Sequence, residues 1–379
     1  MWTSGQGWAS AIKMDSACLT EAAWNHHNAG AMLIEMLGRG LAVRAPAKVN
    51  LFLEVLGKRA DGYHQIDTIV CPVGLFDDLK FEANDSGRIE FCISTDHAQT
   101  GRSATGTDGS RASDPAWKIP DDASNLVVRA LQALRREIGT TAGCRVELQK
   151  NVPAAAGLGG GSSDAAAAIV AGLAMWARWD RALAVHIAQE LGSDIPLFLG
   201  DQQNGIGLAW LTGRGEQVAM ISDRPTLCFV ISHPPVGSST AEVYKLWRSA
   251  GKRVRSSEGM LAACSPRVAT AASSAMDVTN NIEAASKIEE SLFNALQAPA
   301  SQLTDWIARQ LQCFAQFGKP VALMSGSGSA CFAIVESPAE GRELVEKLIA
   351  FGLPRAYVAQ AWYAPPIEQQ LERIFPTLP

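Results

Sequence analysis

Asn151-Val152-Pro153-Ala154-Ala155-Ala156-Gly157-Leu158-Gly159-Gly160-Gly161-Ser162-Ser163-Asp164 packs four glycines into the five positions 157–161. Upstream, Val146 and Leu148 alternate as in a strand, and downstream Ala165 to Trp176 is almost unbroken helix former. A glycine-rich loop therefore joins a strand to a helix N-terminus. Bare glycines let backbone N–H groups approach an anion, and the helix points its positive dipole end at the same spot. Ser162 and Ser163 add two hydroxyls for a phosphate or a bound cation. A flexible linker has similar composition, but a linker does not run straight into a long apolar helix. The loop is not the P-loop, because no Lys-Ser or Lys-Thr follows the last glycine, and its glycine spacing is not that of a dinucleotide fingerprint.

The bulk composition narrows the function classes. The 379 residues suffice for two domains, and 47% hydrophobic with 19% charged residues is an ordinary water-soluble balance. A net charge of -5 gives no basic field for nucleic acid. No apolar run reaches the length of a membrane span. The eight cysteines are scattered, which argues against short-spaced zinc motifs and for reduced thiols in a cytoplasmic protein. Residues 1–40 lack a signal-peptide pattern and read as a poorly ordered extension. Within them His26 and His27 are adjacent, which alone builds no metal site.

Regular structure is expected from about Leu41. Val49, Leu51, Leu53 and Val55 would share one face of a first strand, a turn follows at Asp61-Gly62-Tyr63-His64, and Ile66 to Gly74 begins the next strand. Leu79 to Phe81 and Arg88 to Ile93 read as further strands. Thr95 to Asp114 is nearly devoid of apolar residues and reads as a solvated insertion. Asn125 either caps a helix running to about Ile138 or contacts a ligand. Helices are expected at Leu183–Leu191, Thr240–Ala250, Ile288–Leu296, Leu303–Phe314 and Pro338–Phe351. Strands are expected at Gly205–Leu211, Gln217–Met220, Thr226–Ile231, Val321–Met324, Cys331–Val335 and Ala356–Trp362. Arg253 to Ala285 shows little periodicity. The sum is an α+β chain in two domains, 41–220 and 221–379.

Three pieces call for one explanation: Lys48 near the first strand, the glycine loop, and a second glycine-serine loop at Ser325-Gly326-Ser327-Gly328-Ser329-Ala330. Together they resemble the GHMP kinase superfamily. Pro46-Ala47-Lys48-Val49-Asn50-Leu51, Asp61-Gly62-Tyr63-His64, Pro153 to Ser163, Gly192-Ser193-Asp194-Ile195-Pro196 and Ser325-Gly326-Ser327-Gly328 follow the order of the branch that acts on cytidine-diphospho methylerythritol. The resemblance spans about Val43 to Trp362. It implies a two-domain GHMP kinase fold, with a ribosomal protein S5-like N-terminal domain and a ferredoxin-like C-terminal domain. It also implies ATP and Mg2+ and a small-molecule alcohol acceptor, on the non-mevalonate route to isoprenoid precursors.

Phosphoryl transfer needs positioning, charge neutralisation and an oriented hydroxyl. By the resemblance Asp194 would accept the hydroxyl proton and Lys48 would aim it, since a nearby cation favours a carboxylate. Pro153, Ala154, Ala155, Ala156, Gly157, Leu158, Gly159, Gly160, Gly161, Ser162 and Ser163 would form the ATP loop, with Asn125 and Lys150 near the adenine. Asn50, Tyr63, His64, Thr240 and Tyr244 would meet the acceptor, the cytosine lying between the rings of Tyr63 and Tyr244. Two departures stand out: Val70 where some relatives have an aromatic residue, and Asp164 where asparagine is common. No acid stands out as a magnesium ligand. Two rival readings remain, a homoserine- or mevalonate-type kinase of the same superfamily and a nucleotide-binding protein without catalysis. The Asp61–His64 turn argues against the first, and the joint presence of Lys48 and Asp194 against the second.

Overall fold

The computed structural model describes residues 33–38, 40–94, 119–247, 255–264 and 283–376. The extension before Leu33, the insertion Thr95–Asp114 and most of 253–285 lie outside the described residues.

The sheet begins ahead of Leu41. β1 (Ile34–Leu37) pairs antiparallel with β2 (Gly40–Lys58), which pairs with β3 (His64–Asn84). β4 (Ile89–Ser94) follows, then α1 (Leu126–Ile138), β5 (Gly143–Gln149), α2 (Gly160–Trp176) and α3 (Arg181–Leu191). A 3-10 turn at Pro196–Leu199 leads to β6 (Ala209–Thr212) and β7 (Gln217–Met220). The second sheet opens with β8 (Cys228–Ser232), followed by α4 (Thr240–Leu246), α5 (Glu258–Cys264) and α6 (283–290). β9 (Phe293–Asn294), α7 (Gln297–Ser301), α8 (Trp306–Gln316), β10 (Leu323–Met324), β11 (Cys331–Val335), α9 (Pro338–Ala350), β12 (Ala356–Gln360) and α10 (Ile367–Ile374) complete the order.

Among the described residues β1–β7 and β9 form one sheet, and β10-β11-β8-β12 form a second, antiparallel one. Counting its strands in chain order, the second sheet runs 2-3-1-4, which is the ferredoxin-like arrangement. No described helix is long and apolar enough to cross a membrane.

Local chemistry explains the helices that frame the site. Asn125 caps α1: its Oδ1 accepts the Val127 N–H at 2.9 Å, and Gly139 ends the helix at φ 66°. α2 is buried all round because it lies between the first sheet and α1. Gly172 permits that approach, since a Cβ there would stand 2.6 Å from a Leu134 methyl.

β2 is buried on both faces. Val49 and Leu51 join the core between the two sheets, with Phe229, Ile231 and Phe332. Leu53 and Val55 join a different cluster, under α8 and α9. The expected single face is interrupted by a register shift between Asn50 and Phe52. β9 replaces part of an expected helix because Phe293 and Asn294 pair in parallel with Phe52 and Leu53.

The chain then returns to its start. Ile206 pairs with Ala364, the Leu33 N–H donates to Gln370 Oε1 at 2.8 Å, and Ile367 and Leu371 enter the first core. Arg181 donates to both oxygens of Glu368, at 2.7 and 2.8 Å, and the Trp179 indole adds a third bond at 2.9 Å. Burial pushes the Glu368 carboxyl up, but these bonds outweigh it and hold it at about 2. The folded value lies below the unfolded one, so the stabilisation is full above about pH 4.3 and fades as pH falls toward 2. Glu368→Gln is expected to cost on the order of 2 kcal/mol at neutral pH. The gap to wild type should shrink in denaturant unfolding at pH 3, whereas an equal gap at both pH values would rule out the carboxylate as its source.

Candidate active site

The glycine loop is shaped by what its side chains do. Val152, Ala156 and Leu158 are buried in the core between the sheets, so the loop turns its backbone outward. Ala155, at φ 51°, is the one described non-glycine residue in the left-handed region, and Gly157 and Gly159 follow at 75° and 71°. Gly159 stands at the N-cap of α2 with no side-chain cap, and the Ser163 N–H bonds back to the Gly159 carbonyl at 3.0 Å. The amides of Gly160, Gly161 and Ser162 thus open the helix with its positive dipole end beside them. Ser162 is partly exposed, and Ser163 is buried with an unpartnered hydroxyl.

Two other segments are laced onto this loop. The Ala330 N–H donates to the Ala156 carbonyl at 3.0 Å, and the Ser325 hydroxyl donates to Gly157 at 2.9 Å. The Ser238 N–H donates to Ala155 at 3.0 Å. The Thr240 and Ser327 hydroxyls meet at 2.8 Å. The two glycine-serine loops, 168 residues apart where Ser325 meets Gly157, therefore share one wall.

Under that wall lie Lys48 and Asn50 of β2, both buried. The Lys48 N–H donates to the Leu158 carbonyl at 2.9 Å, and its ammonium donates to Asn50 Oδ1 at 2.6 Å. Asn50 Nδ2 donates to the Thr68 hydroxyl at 2.9 Å, and the Asn50 N–H donates to Ser325 Oγ at 3.3 Å. Lys48 Nζ stands 3.6 Å from Asp194 Oδ2, whose side chain keeps 39% exposure in the turn after α3. A sealed ammonium thus faces a half-open carboxylate, beneath bare glycines. A Cβ on Gly326 would stand 3.2 Å from Lys48 Nζ, and one on Gly159 would stand 2.9 Å from Lys48 Cγ.

The hairpin between β2 and β3 presents the aromatic residues. Gly62 turns at φ 87°, and Asp61 Oδ1 accepts the Tyr63 N–H at 3.1 Å. His64, not Tyr63, stacks on Tyr244, at 4.9 Å and 29°, with Trp247 edge-on at 5.6 Å. Tyr63 instead lies under the Arg214 guanidinium at 5.0 Å and keeps 54% exposure. The expected sandwich of Tyr63 and Tyr244 is therefore not formed, because the imidazole one residue further on covers the Tyr244 face. Burial and the Lys58 charge lower the His64 pKa and favour the neutral ring. Burial, then the Asp194 charge, raises that of the Tyr244 phenol.

Two side chains expected near the adenine are engaged within the protein. Asn125 spends its carbonyl on the α1 cap and its amide on the Pro120 carbonyl, at 2.7 Å. Lys150 is buried with its ammonium between Asp77 and Asp164. Sequence reasoning missed Thr68, Asp77, Arg214 and Trp247. Asp77 interrupts an apolar strand, which signals a satisfied buried charge, and Trp247 lies one helical turn from Tyr244.

Comparison with known proteins gives the family. The profile of the GHMP kinases N terminal domain matches residues 125–201, and that of the GHMP kinases C terminal domain matches residues 264–353. The chain is 33% identical over 328 residues to the 4-diphosphocytidyl-2-C-methyl-D-erythritol kinase of Rhodopirellula baltica, spanning 82% of this chain and 91% of that one. It superposes on a crystal structure of 4-(cytidine 5'-diphospho)-2C-methyl-D-erythritol kinase with a TM-score of 0.61 at 28% identity, covering 84% of this chain and 98% of the other. Homoserine kinase from Cytophaga hutchinsonii matches with a TM-score of 0.56 over 88% and 97% of the two chains. At 15% identity that likeness bears on the fold alone. The chain belongs to the 4-diphosphocytidyl-2-C-methyl-D-erythritol kinase family of the GHMP kinases.

Proposed function

We infer that the protein transfers the γ-phosphoryl group of ATP to the 2-hydroxyl of 4-diphosphocytidyl-2-C-methyl-D-erythritol, within the non-mevalonate route to isoprenoid precursors. The observation that carries this reading is the Lys48 ammonium 3.6 Å from the Asp194 carboxylate, at the seam of the two glycine-serine loops. We assign the triphosphate to the amides of Gly159, Gly160, Gly161 and Ser162, where backbone donors and the helix dipole act together. The acceptor oxygen forms a bond to the γ-phosphorus as the bond to the β,γ-bridging oxygen breaks, and ADP leaves. The hydroxyl proton passes to Asp194, while Lys48 holds that carboxylate in place and offsets negative charge.

Among the described residues no group of three His, Cys, Asp or Glu side chains could hold a metal ion. A magnesium ion arriving with the ATP phosphates would find the partly exposed Ser162 hydroxyl at the start of α2 and would offset negative charge there. Tyr63 offers a π face to the cytosine. The neutral His64 offers a donor and an acceptor. The described cysteines are free thiols, which fits a cytoplasmic setting.

Asp194→Asn keeps the size of the side chain but cannot take a proton. It should cost roughly 10²–10⁴-fold in turnover with ATP binding nearly unchanged, read by coupled ADP release and by ATP titration. Survival of activity within a few-fold would reduce Asp194 to a turn residue.

Gly159→Val forces a branched residue into φ 71° and against Lys48. ATP affinity should fall without loss of the folded state, followed by titration and thermal melting. Equal affinity would take the loop away from the phosphates.

Tyr63→Ala removes stacking worth about 1–3 kcal/mol. The acceptor Michaelis constant should rise roughly 5- to 150-fold and that of ATP should hold. The opposite pattern would put Tyr63 at the donor nucleotide, and efficient use of homoserine or mevalonate would overturn the acceptor assignment.

A further inference from the structure

The mechanism uses Lys48 and leaves a second buried lysine without a role. Lys150 follows β5 at the entrance to the glycine loop. Its ammonium donates to Asp77 Oδ2 on β3 and, at 2.8 Å, to Asp164 Oδ2 on α2. Asp77 Oδ1 accepts the N–H groups of Asn151 and Val152 at 2.6 and 2.8 Å. The Asn151 amide donates to the Phe76 carbonyl at 3.1 Å and to Asp78 Oδ2 at 3.2 Å. Gly160 abuts the same cluster, for a Cβ there would stand 2.9 Å from Lys150 Nζ and 3.2 Å from Asp77 Oδ2. One set of charges thus grips the loop where it leaves the sheet and again where it enters the helix.

Stability is a poor reason to keep such a cluster. Burying an ion costs several kcal/mol, and an apolar replacement of the whole set is often no less stable. Burial pushes the Lys150 ammonium toward neutrality, yet the Asp164 and Asp77 carboxylates outweigh it and raise its pKa. The loop has the opposite problem. Its glycines leave the backbone many conformations, whereas an anion cradle needs its amides fixed.

We propose that Lys150 is a positioning residue of the ATP loop. Through Asp77 and Asp164 it sets the span between Val152 and Gly160, and so aims the amides at the start of α2. This rests on the kinase reading above. It differs from an adenine contact in one respect: the lysine acts on whatever the amides bind, whether or not a nucleoside is attached.

The test compares ATP with inorganic tripolyphosphate, which has the phosphates and lacks the nucleoside. Wild type, Asp77→Asn and Lys150→Met are titrated with each ligand by calorimetry, with steady-state kinetics alongside. Asp77→Asn is near-isosteric and replaces one charge-assisted bond to Lys150. It should weaken both ligands by the same factor, about tenfold, and raise the ATP Michaelis constant to match. The acceptor Michaelis constant and the turnover at saturating ATP should hold. Lys150→Met should do the same or more, and if it does not fold, Asp77→Asn decides alone. ATP weakened with tripolyphosphate unaffected would place the cluster against the nucleoside and overturn the inference. So would equal losses for ATP and acceptor, or a lower melting temperature with unchanged affinities. A wild-type protein that bound neither ligand would overturn the kinase reading, and this inference with it.

Discussion

The Gly157 carbonyl accepts the Ser325 hydroxyl at 2.9 Å, and the two loops come so close there that a Cβ on Gly157 would stand 2.1 Å from the Ser325 carbonyl oxygen. Only glycine allows this approach. It brings a loop from the first body against a loop from the second, and the site is built around the seam. The Ala330–Ala156 and Ser238–Ala155 bonds extend it on either side, and Asn50 reaches it from below through Ser325. If the seam opened, the Lys48–Asp194 pair would lose its roof, because the groups above it come from chain segments far apart in sequence.

Two lysines near that seam show how environment separates roles. Lys48 has a neutral amide partner at 2.6 Å and a carboxylate at 3.6 Å that remains half open. The carboxylate can meet a substrate hydroxyl while the lysine stays fixed. Lys150 is closed in by Asp77 and Asp164, with 6% of its side chain exposed and 0% and 4% of theirs. An ammonium in that position has no face left for a ligand, and what it can supply is geometry. The same residue type, at positions 102 residues apart in the sequence, thus supports chemistry in one place and shape in the other.

Much of this was legible in the residues. The bare loop between a strand and a helix former follows from local pattern and the pairing of Lys48 with Asp194 from motif order, whereas local pattern left Asn125 between a helix cap and a ligand contact. The remainder depended on contacts that no local pattern records. Asp77 and Lys150 are 73 residues apart and meet only when β3 and β5 pair. β9 has two residues, too few for a period, and exists because β2 offers it a partner. His64 rather than Tyr63 covers Tyr244 because the register of the hairpin decides which neighbour turns inward. A single alternating face was expected in β2, but the shift between Asn50 and Phe52 divides its apolar residues between two cores.

The return of residues 361–374 to the first sheet has a consequence for how the protein is made. Ala364 pairs with Ile206, Gln370 takes the Leu33 N–H, and Glu368 holds Arg181. The first body therefore lacks part of its core and one edge contact until those residues have left the ribosome. Synthesis runs N-terminus first, yet this body is finished last, after the intervening ferredoxin-like sheet has been threaded through its sequence. During translation the long β2–β3 ribbon and α2 are available well before their cover, so a nascent chain exposes apolar surface for as long as synthesis of the second body takes.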